Sequence, residues 1–380
     1  MILTAKQEEG LRIAVDRYNH HEPYTTIAGY AGTGKSTLVT FIIAALGLDL
    51  DNVAYVAYTG KASLILKEKG CPNATTAHKL LYDSFPRRDG TFYHKPKRPL
   101  ERPYDLIVVD EISMLPKEMW ELLLSHNIPV IALGDPGQLP PIGDDNGVLV
   151  HPHVFLEDVM RQAQESEIIR LSMDIRAGKD LVLSHGNEVQ VIDKKELVNG
   201  MYTWADQIIV GKNVTRHNIN YEMRKMLFGV EDSYPVEGDR IICLRNDWNA
   251  VTETNDVLVN GLMGTIMHPK TETNFWIGHD IRAGFKVDGG GEYADLMMDY
   301  KMFMEHEPSI NKDNFRKVPK IGHPHEFDYA YCITAHKSQG SEYPKVLVLE
   351  EFLKGNEHTR WLYTAVTRAS EKLVLVKDYR

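Results

Sequence analysis

"TTIAGYAGTGKSTLVTFII", residues 25–43, sets an apolar strand directly before an apolar helix and packs three glycines into the join. Residues 25–28 read as the strand and 37–46 as the helix. The join spells G-x-x-x-x-G-K-S from Gly29 to Ser36. Glycines there let successive backbone N–H groups turn toward an anion, and the positive end of the following helix adds to the attraction. Lys35 is placed to reach β- and γ-phosphates, and the Ser36 hydroxyl to ligate magnesium. Gly29, Gly32, Thr33, Gly34, Lys35, Ser36 and Thr37 are therefore the expected phosphate-loop residues, with ATP and Mg2+ as the expected cofactors.

A phosphate loop of this kind needs a carboxylate on a neighbouring strand. "DLIVVDEISML", residues 105–115, supplies one: four apolar residues run into Asp110 and Glu111. Asp110 fits a magnesium carboxylate, and Glu111 a base that orients attacking water. A solvated acidic strand end is the plainer reading, but an adjacent Glu argues for hydrolysis rather than binding alone. "IALGDPGQLPPIG", residues 131–143, follows another apolar run. Its glycines and prolines make a stiff loop holding Asp135 and Gln138, with Gln138 able to sense the γ-phosphate.

Outward from these motifs, apolar runs at 25–28, 53–58, 106–109 and 130–133 alternate with helical patterns at 37–46, 61–69 and 117–125. Such alternation predicts an α/β fold, a parallel sheet with helices on both faces. A second set, at 207–210, 329–333, 346–349 and 373–376, predicts a second α/β lobe. Two segments interrupt the lobes. Residues 82–103 carry Arg87, Arg88, Lys95, Lys97, Arg98 and Arg102 against Asp83, Asp89 and Glu101, and read as a basic hairpin turning at Asp89-Gly90. Residues 238–325 hold short β-like pieces and predict a small, mainly β insertion.

Composition bounds the rest. The 380 residues are 43% hydrophobic and 25% charged, ordinary for a globular chain. A net charge of −10 argues against coating nucleic acid through bulk positive potential, though not against gripping a strand in a local channel. The longest apolar run, near 38–48, is too short to span a bilayer, no cleavable signal precedes it, and no membrane role is expected. Three scattered cysteines match no zinc or disulfide spacing, which points to a reducing cytosol.

Further blocks extend the pattern: "AYTGKAS" (57–63), "TTAHKLL" (75–81), "VMRQA" (159–163), "TAHKSQGSE" (334–342) and "LYTAVTRA" (362–369). With residues 29–36, 110–113 and "GDPGQLPP" (134–141), they make eight blocks in helicase order. The chain resembles the superfamily 1B DNA helicases, in the RecD-like group. The resemblance implies two RecA-like parallel-sheet lobes, 1–81 with 104–160 and 161–237 with 326–380. It makes 82–103 a strand-separating hairpin and 238–325 an SH3-like insertion.

It also implies roles. ATP lies between the lobes, so Arg161 and Arg368 become the arginines that reach the γ-phosphate, and Gln7 in "LTAKQEEGL" the adenine reader. The second loop, 334–342, faces both ligands: Gly340 and Glu342 toward ATP, and Thr334, His336 and Lys337 toward DNA. Thr59, Gly60, Lys61, Thr76, His78, Asn213 and Arg216 are the other expected strand contacts, hydroxyls, amides and cations suited to phosphate and sugar. Phe92 and Tyr93 of the hairpin would meet an end base pair. The implied activity is ATP-dependent 5′–3′ unwinding of duplex DNA by a cytoplasmic monomer of phage or bacterial type. Its expected partners are single-stranded DNA, duplex junctions, and recombination or replication proteins. Three other readings stand beside it: an RNA or RNA/DNA helicase, an ATP-gated DNA-binding subunit, and a P-loop phosphotransferase. The last has no use for a second lobe bearing Arg368.

Overall fold

The expected strand at 25–28 is Tyr24–Gly29 in the computed structural model. That model describes residues 3–86, 92–140, 146–160, 165–252, 257–274, 277–310, 323–353 and 356–379. The chain forms two compact units. The first takes in residues up to Asp83, Pro96–Gly211 and from Ser338 onward; the second takes in Ser84–Lys95 and Lys212–Lys337.

In the first unit a parallel sheet runs in the order Ala74–Thr76, Val53–Ala57, Leu106–Val109, Val130–Gly134, Tyr24–Gly29, Val154–Leu156. Helices cover both faces, so its central strands are buried at every position rather than alternating. One face packs Ile107, Val109, Trp120 and Leu123; the other packs Ile27, Leu38, Ile42 and Val108. Trimming Leu38 or Ile42 to Ala would cost about 2–5 kcal/mol. The three-residue edge strands Ala74–Thr76 and Val154–Leu156 carry too little periodicity to be read from sequence.

This order positions chemistry. Val130–Gly134 lies between Leu106–Val109 and Tyr24–Gly29, so the loops leaving their carboxyl ends, at Asp135, Asp110 and Gly29, stand side by side. Ligands of open α/β sheets bind at such strand ends. The same unit holds a second sheet in the order Gln207–Val210, Tyr343–Leu349, Ala369–Lys377, Val189–Asp193, Ser184–His185, parallel except at its last pair. Helix Asn356–Val366 packs on it through Trp361, fully buried, whose indole N–H donates to Val210 O at 3.4 Å.

The second unit is an antiparallel sheet: Glu292–Asp299, Gly278–Val287, Met263–Asn274, Arg240–Cys243, Phe327–Tyr329. The expected short pieces are in fact strands of up to 12 residues. The expected single run at 329–333 is corrected to two strands, Phe327–Tyr329 and Cys332–Thr334. Asn220 of helix Asn213–Phe228 explains the break. Its amide donates to the carbonyls of Tyr329 and Cys332 and accepts Cys332 N–H, which takes up the backbone groups a continuous strand would use.

The hairpin strands are Tyr82–Pro86 and Phe92–Pro96. The turn at Asp89-Gly90 and the side chains of Phe92 and Tyr93 fall outside the described residues. One of the six cations, Lys97, is not available to a ligand. Lys97 is 8% exposed, and its ammonium donates to Lys79 O at 2.9 Å and to Glu101 at 2.5 Å. Arg102 donates to Asn73 and to Asp51 O. A helix end, with its unpaired carbonyls, explains why Lys97 turns inward. Lys95 and Arg98 are exposed. No disulfide occurs among the described residues, and no described helix is long and apolar enough to cross a membrane.

Candidate active site

Glycine-rich sequence becomes geometry first at the phosphate loop. Gly32 and Gly34 take φ of +75° and +78°, the left-handed conformation that opens the loop before helix Lys35–Leu46. Lys35 Nζ donates to Gly29 O at 2.7 Å and Tyr30 O at 3.1 Å, folding over the loop it would share with phosphate. A cavity of about 350 Å³ opens beside it. Lys35, Ser36, Asp110, Glu111 and Gln138 line one side. Gly340, Glu342 and Arg368 line it from the second sheet's elements.

Asp110 is the strained member. Burial, then the Glu111 carboxylate, push its pKa up to about 6 against the pull of Lys35. A half-buried carboxylate short of positive charge fits a divalent cation. Glu111 follows it at φ +50°, a backbone state costly for a non-glycine residue. Glu111 Oε1 accepts from Gln138 Nε2 at 3.4 Å, while Glu111 Oε2 and Gln138 Oε1 are buried without a protein partner. Both residues line the cavity, and an orphaned buried oxygen beside it is suited to accept a hydrogen bond from water or a ligand. Arg368 is 7% exposed, and its guanidinium is braced by Thr364 O at 3.1 Å, Ser341 O at 3.2 Å and Thr367 Oγ1 at 3.2 Å.

Other expected residues stand elsewhere. Gln7 is 1% exposed; its Oε1 accepts Thr4 N–H in a capping box and its Nε2 donates to Thr33 O at 3.2 Å. Both ends of the amide are thus engaged by the protein, and Gln7 does not line the cavity. Thr59 and Thr76 cap helices Gly60–Glu68 and Ala77–Leu81 through their hydroxyls. Lys61 lies 4.8 Å over the Tyr343 ring, and Gly60 is buried. His78 sits between the Tyr58 and Tyr82 rings, at 6.2 and 6.0 Å. Arg161 lies outside the described residues.

In the second unit, Asn213 is exposed at a helix start, and Thr334 is 7% exposed. Arg216 is 5% exposed and donates to Asp328 Oδ2 at 2.6 Å. The block 334–342 crosses from one unit to the other between Lys337 and Ser338, so His336 and Lys337 fall in the second and Gly340 and Glu342 in the first.

His217, His306 and Asp328 form a group with metal-ligand chemistry, their ligand atoms within 4.8 Å of one another. Arg216 already occupies that position. It neutralises Asp328 and places Nη2 3.1 Å from His217 Nε2. Burial raises the Asp328 pKa, but the His306 hydrogen bond and Arg216 outweigh it and hold the group at about 2. A metal ion would have to displace a guanidinium, and the cluster reads as a satisfied structural knot.

Sequence reasoning missed Tyr363, Thr364 and Gln339, which reach from the second sheet's elements to the Asp135–Leu139 loop. Their presence inside blocks 334–342 and 362–369 was the available sign.

Comparison with known proteins agrees with this geometry. The AAA domain family matches residues 3–200, more than half the chain, and the UvrD-like helicase C-terminal domain matches residues 329–376. The ATP-dependent RecD2 DNA helicase of Deinococcus radiodurans is 27% identical over 377 residues, covering 91% of this chain and 46% of the relative. The ATP-dependent DNA helicase dda of Enterobacteria phage T4 is 27% identical over 189 residues, covering 47% of this chain and 43% of the relative. Less than half the length of either relative is matched. A solved structure of two coordinating Pif1 helicases at forked duplex DNA shares the fold, with a TM-score of 0.57 at 20% identity over 99% of this chain and 92% of that one. The chain belongs to the AAA domain family, in the RecD-like group of superfamily 1B helicases.

Proposed function

We propose that this chain is an ATP-driven helicase that moves 5′ to 3′ on single-stranded DNA and separates duplex ahead of it. The observation that carries the proposal is the cavity in which Lys35, Asp110 and Glu111 share walls with Arg368 of the second sheet. Phosphoryl transfer needs positioning and charge compensation, and these residues supply both. Lys35 exchanges its carbonyl partners for β- and γ-phosphate oxygens. Ser36 and Asp110 would hold magnesium, which would neutralise phosphate charge. Glu111 Oε2 orients the attacking water, and Gln138 follows the γ-phosphate from the same side. Arg368, with Arg161, stabilises charge that develops as the bond breaks, which makes hydrolysis depend on how the second lobe sits. Gly340 and Glu342 complete the wall near the ribose.

On the strand side, Thr59, Gly60, Lys61, Thr76, His78, Asn213, Arg216, Thr334, His336 and Lys337 remain our contact set. The capped and paired members act through backbone amides rather than free side chains. Arg216, buried against Asp328, positions its helix. We keep the four-part plan of two lobes, hairpin and β insertion, working as a monomer. The relatives named for DNA and forked duplex support DNA over RNA.

The test is a hairpin replacement. Because Lys97 staples the first lobe, the exchange for a Gly-Ser turn must stop at residue 95. The variant should keep ATPase stimulation by single-stranded DNA and lose unwinding of a 5′-tailed duplex. Wild-type unwinding would remove the pin, unwinding from a 3′ tail would reverse the polarity, and stronger stimulation by RNA oligomers would change the substrate.

A further inference from the structure

Helix Asn356–Val366 ends in the block 362–369 and turns Tyr363 toward the first sheet's loops. Tyr363 is 1% exposed. Its hydroxyl donates to Asp135 Oδ2 at 2.7 Å and accepts the Ala31 N–H at 2.9 Å. A phenol has one proton, and Ala31 can only donate, so that proton must point to Asp135. Asp135 is likewise 1% exposed; burial raises its pKa, and its other oxygen takes the Gly137 N–H at 2.9 Å. Gly137 permits the approach, since a Cβ there would stand 3.0 Å from the Tyr363 ring.

Neighbours repeat the grip. Thr364 Oγ1 accepts the Leu139 N–H at 3.0 Å, and Gln339 Nε2 donates to Leu139 O at 3.0 Å. The same helix end carries Arg368. Thr367 Oγ1 donates to Tyr363 O at 2.9 Å, and Arg368 Nη2 donates to Thr367 Oγ1 at 3.2 Å. The Tyr363 hydroxyl therefore joins the phosphate loop to the Asp135–Gln138 loop, and the backbone carbonyl of the same residue is joined through Thr367 to Arg368. Packing alone would be served by Phe. Leaving a buried amide and a buried carboxylate unpaired is costly, so the hydroxyl has a use beyond filling space.

We propose that Tyr363 is a positioning residue for ATP hydrolysis. Its hydroxyl fastens the phosphate loop at Ala31 and the Gln138 loop at Asp135 to the helix end bearing Arg368, fixing the arginine's register against the phosphates. The proposal rests on the hydrolytic reading above and names a residue that never touches substrate.

The test is steady-state ATPase at saturating oligo-dT for wild type, Tyr363→Phe, Arg368→Lys and the double variant. Misplacing a catalytic group by about 1 Å can cost 10²-fold, so Tyr363→Phe should lower kcat by about tenfold or more. Its KM for ATP should stay within about threefold and its affinity for the oligomer near wild type, while Tm falls because the Ala31 N–H and Asp135 lose their partner. Because Tyr363 acts through Arg368, adding Tyr363→Phe to Arg368→Lys should cost less than about twofold more. A wild-type kcat in Tyr363→Phe overturns the proposal. So do full multiplication of the two losses and a joint loss of Tm and ATP affinity at unchanged kcat, the mark of a packing role. A wild-type protein with no DNA-stimulated hydrolysis overturns the functional reading itself and this inference with it.

Discussion

Two acidic groups in this molecule live under opposite electrostatic regimes. Asp110, beside the phosphate loop, is pushed up to about 6 by burial and by Glu111. Asp328, in the antiparallel unit, is held at about 2 because His306 and Arg216 outweigh its burial. Asp328 is buried and Asp110 half-buried, yet Asp110 lacks its compensating charge and Asp328 has it in full. The difference separates a ligand site from a structural joint. Where the fold leaves a charge underpaired, beside the left-handed Glu111 and two orphaned oxygens, it holds stability in reserve for something that binds. Where Arg216 closes the pair at 2.6 Å, nothing is left to recruit.

The contrast breaks most visibly at the phosphate loop. Lys35→Ala should abolish ATP hydrolysis to background, measured as phosphate release with single-stranded DNA present. Arg368→Ala should follow, lowering kcat by about 10³-fold, the usual worth of such an arginine, while leaving affinity for the strand unchanged. Equal loss of DNA affinity at unchanged ATPase would move Arg368 to the strand surface. Asp328→Ala should act on stability, not chemistry. It strands Arg216 in the interior at a cost of about 3–5 kcal/mol, read as a fall in denaturation midpoint. An unchanged midpoint would remove the structural joint.

Acid sharpens the pair. Asp328, depressed below its ordinary 3.8, contributes stability that is present above about pH 4 and is lost as pH falls through about 2. Asp110 has the opposite sign: its folded pKa is raised, so its contribution is fully present below 3.8 and lost as pH rises through about 6. Magnesium-dependent nucleotide affinity should therefore weaken below about pH 6, by up to about tenfold per pH unit. Asp110→Asn should give the smallest shift and the most telling one, a Tm higher by about 1–3 °C in a protein without activity. A lower Tm would mean that the charge was compensated all along.

Much of this was legible in sequence, for identifiable reasons. A P-loop joins a strand to a helix by rule, and buried parallel strands read as unbroken apolar runs, so Tyr24–Gly29, Leu106–Val109 and Gln207–Val210 were plain. Asp110, Glu111 and Arg368, which line one cavity, stood out in sequence because each follows a patterned element. What sequence hid depends on distant partners. Asn220 splits the 327–334 region from more than 100 residues away. Lys97 looked like a hairpin cation until Lys79 O and Glu101 claimed it. Nor could sequence show that the Gln7 amide engages Thr4 and Thr33. Tyr363 has no periodicity to announce it, since its meaning lies in Ala31 and Asp135, more than 200 residues earlier.

The most direct measurement is on Glu111→Gln, which keeps the side chain's shape and removes its charge. Nucleotide binding and DNA-stimulated hydrolysis should be measured on the same preparation beside wild type. The account predicts near-normal nucleotide affinity with turnover reduced by at least about 10²-fold, the low end of what a general base contributes. Turnover at the wild-type rate with affinity intact would contradict it, and would take the catalytic assignment away from the cavity's left-handed glutamate.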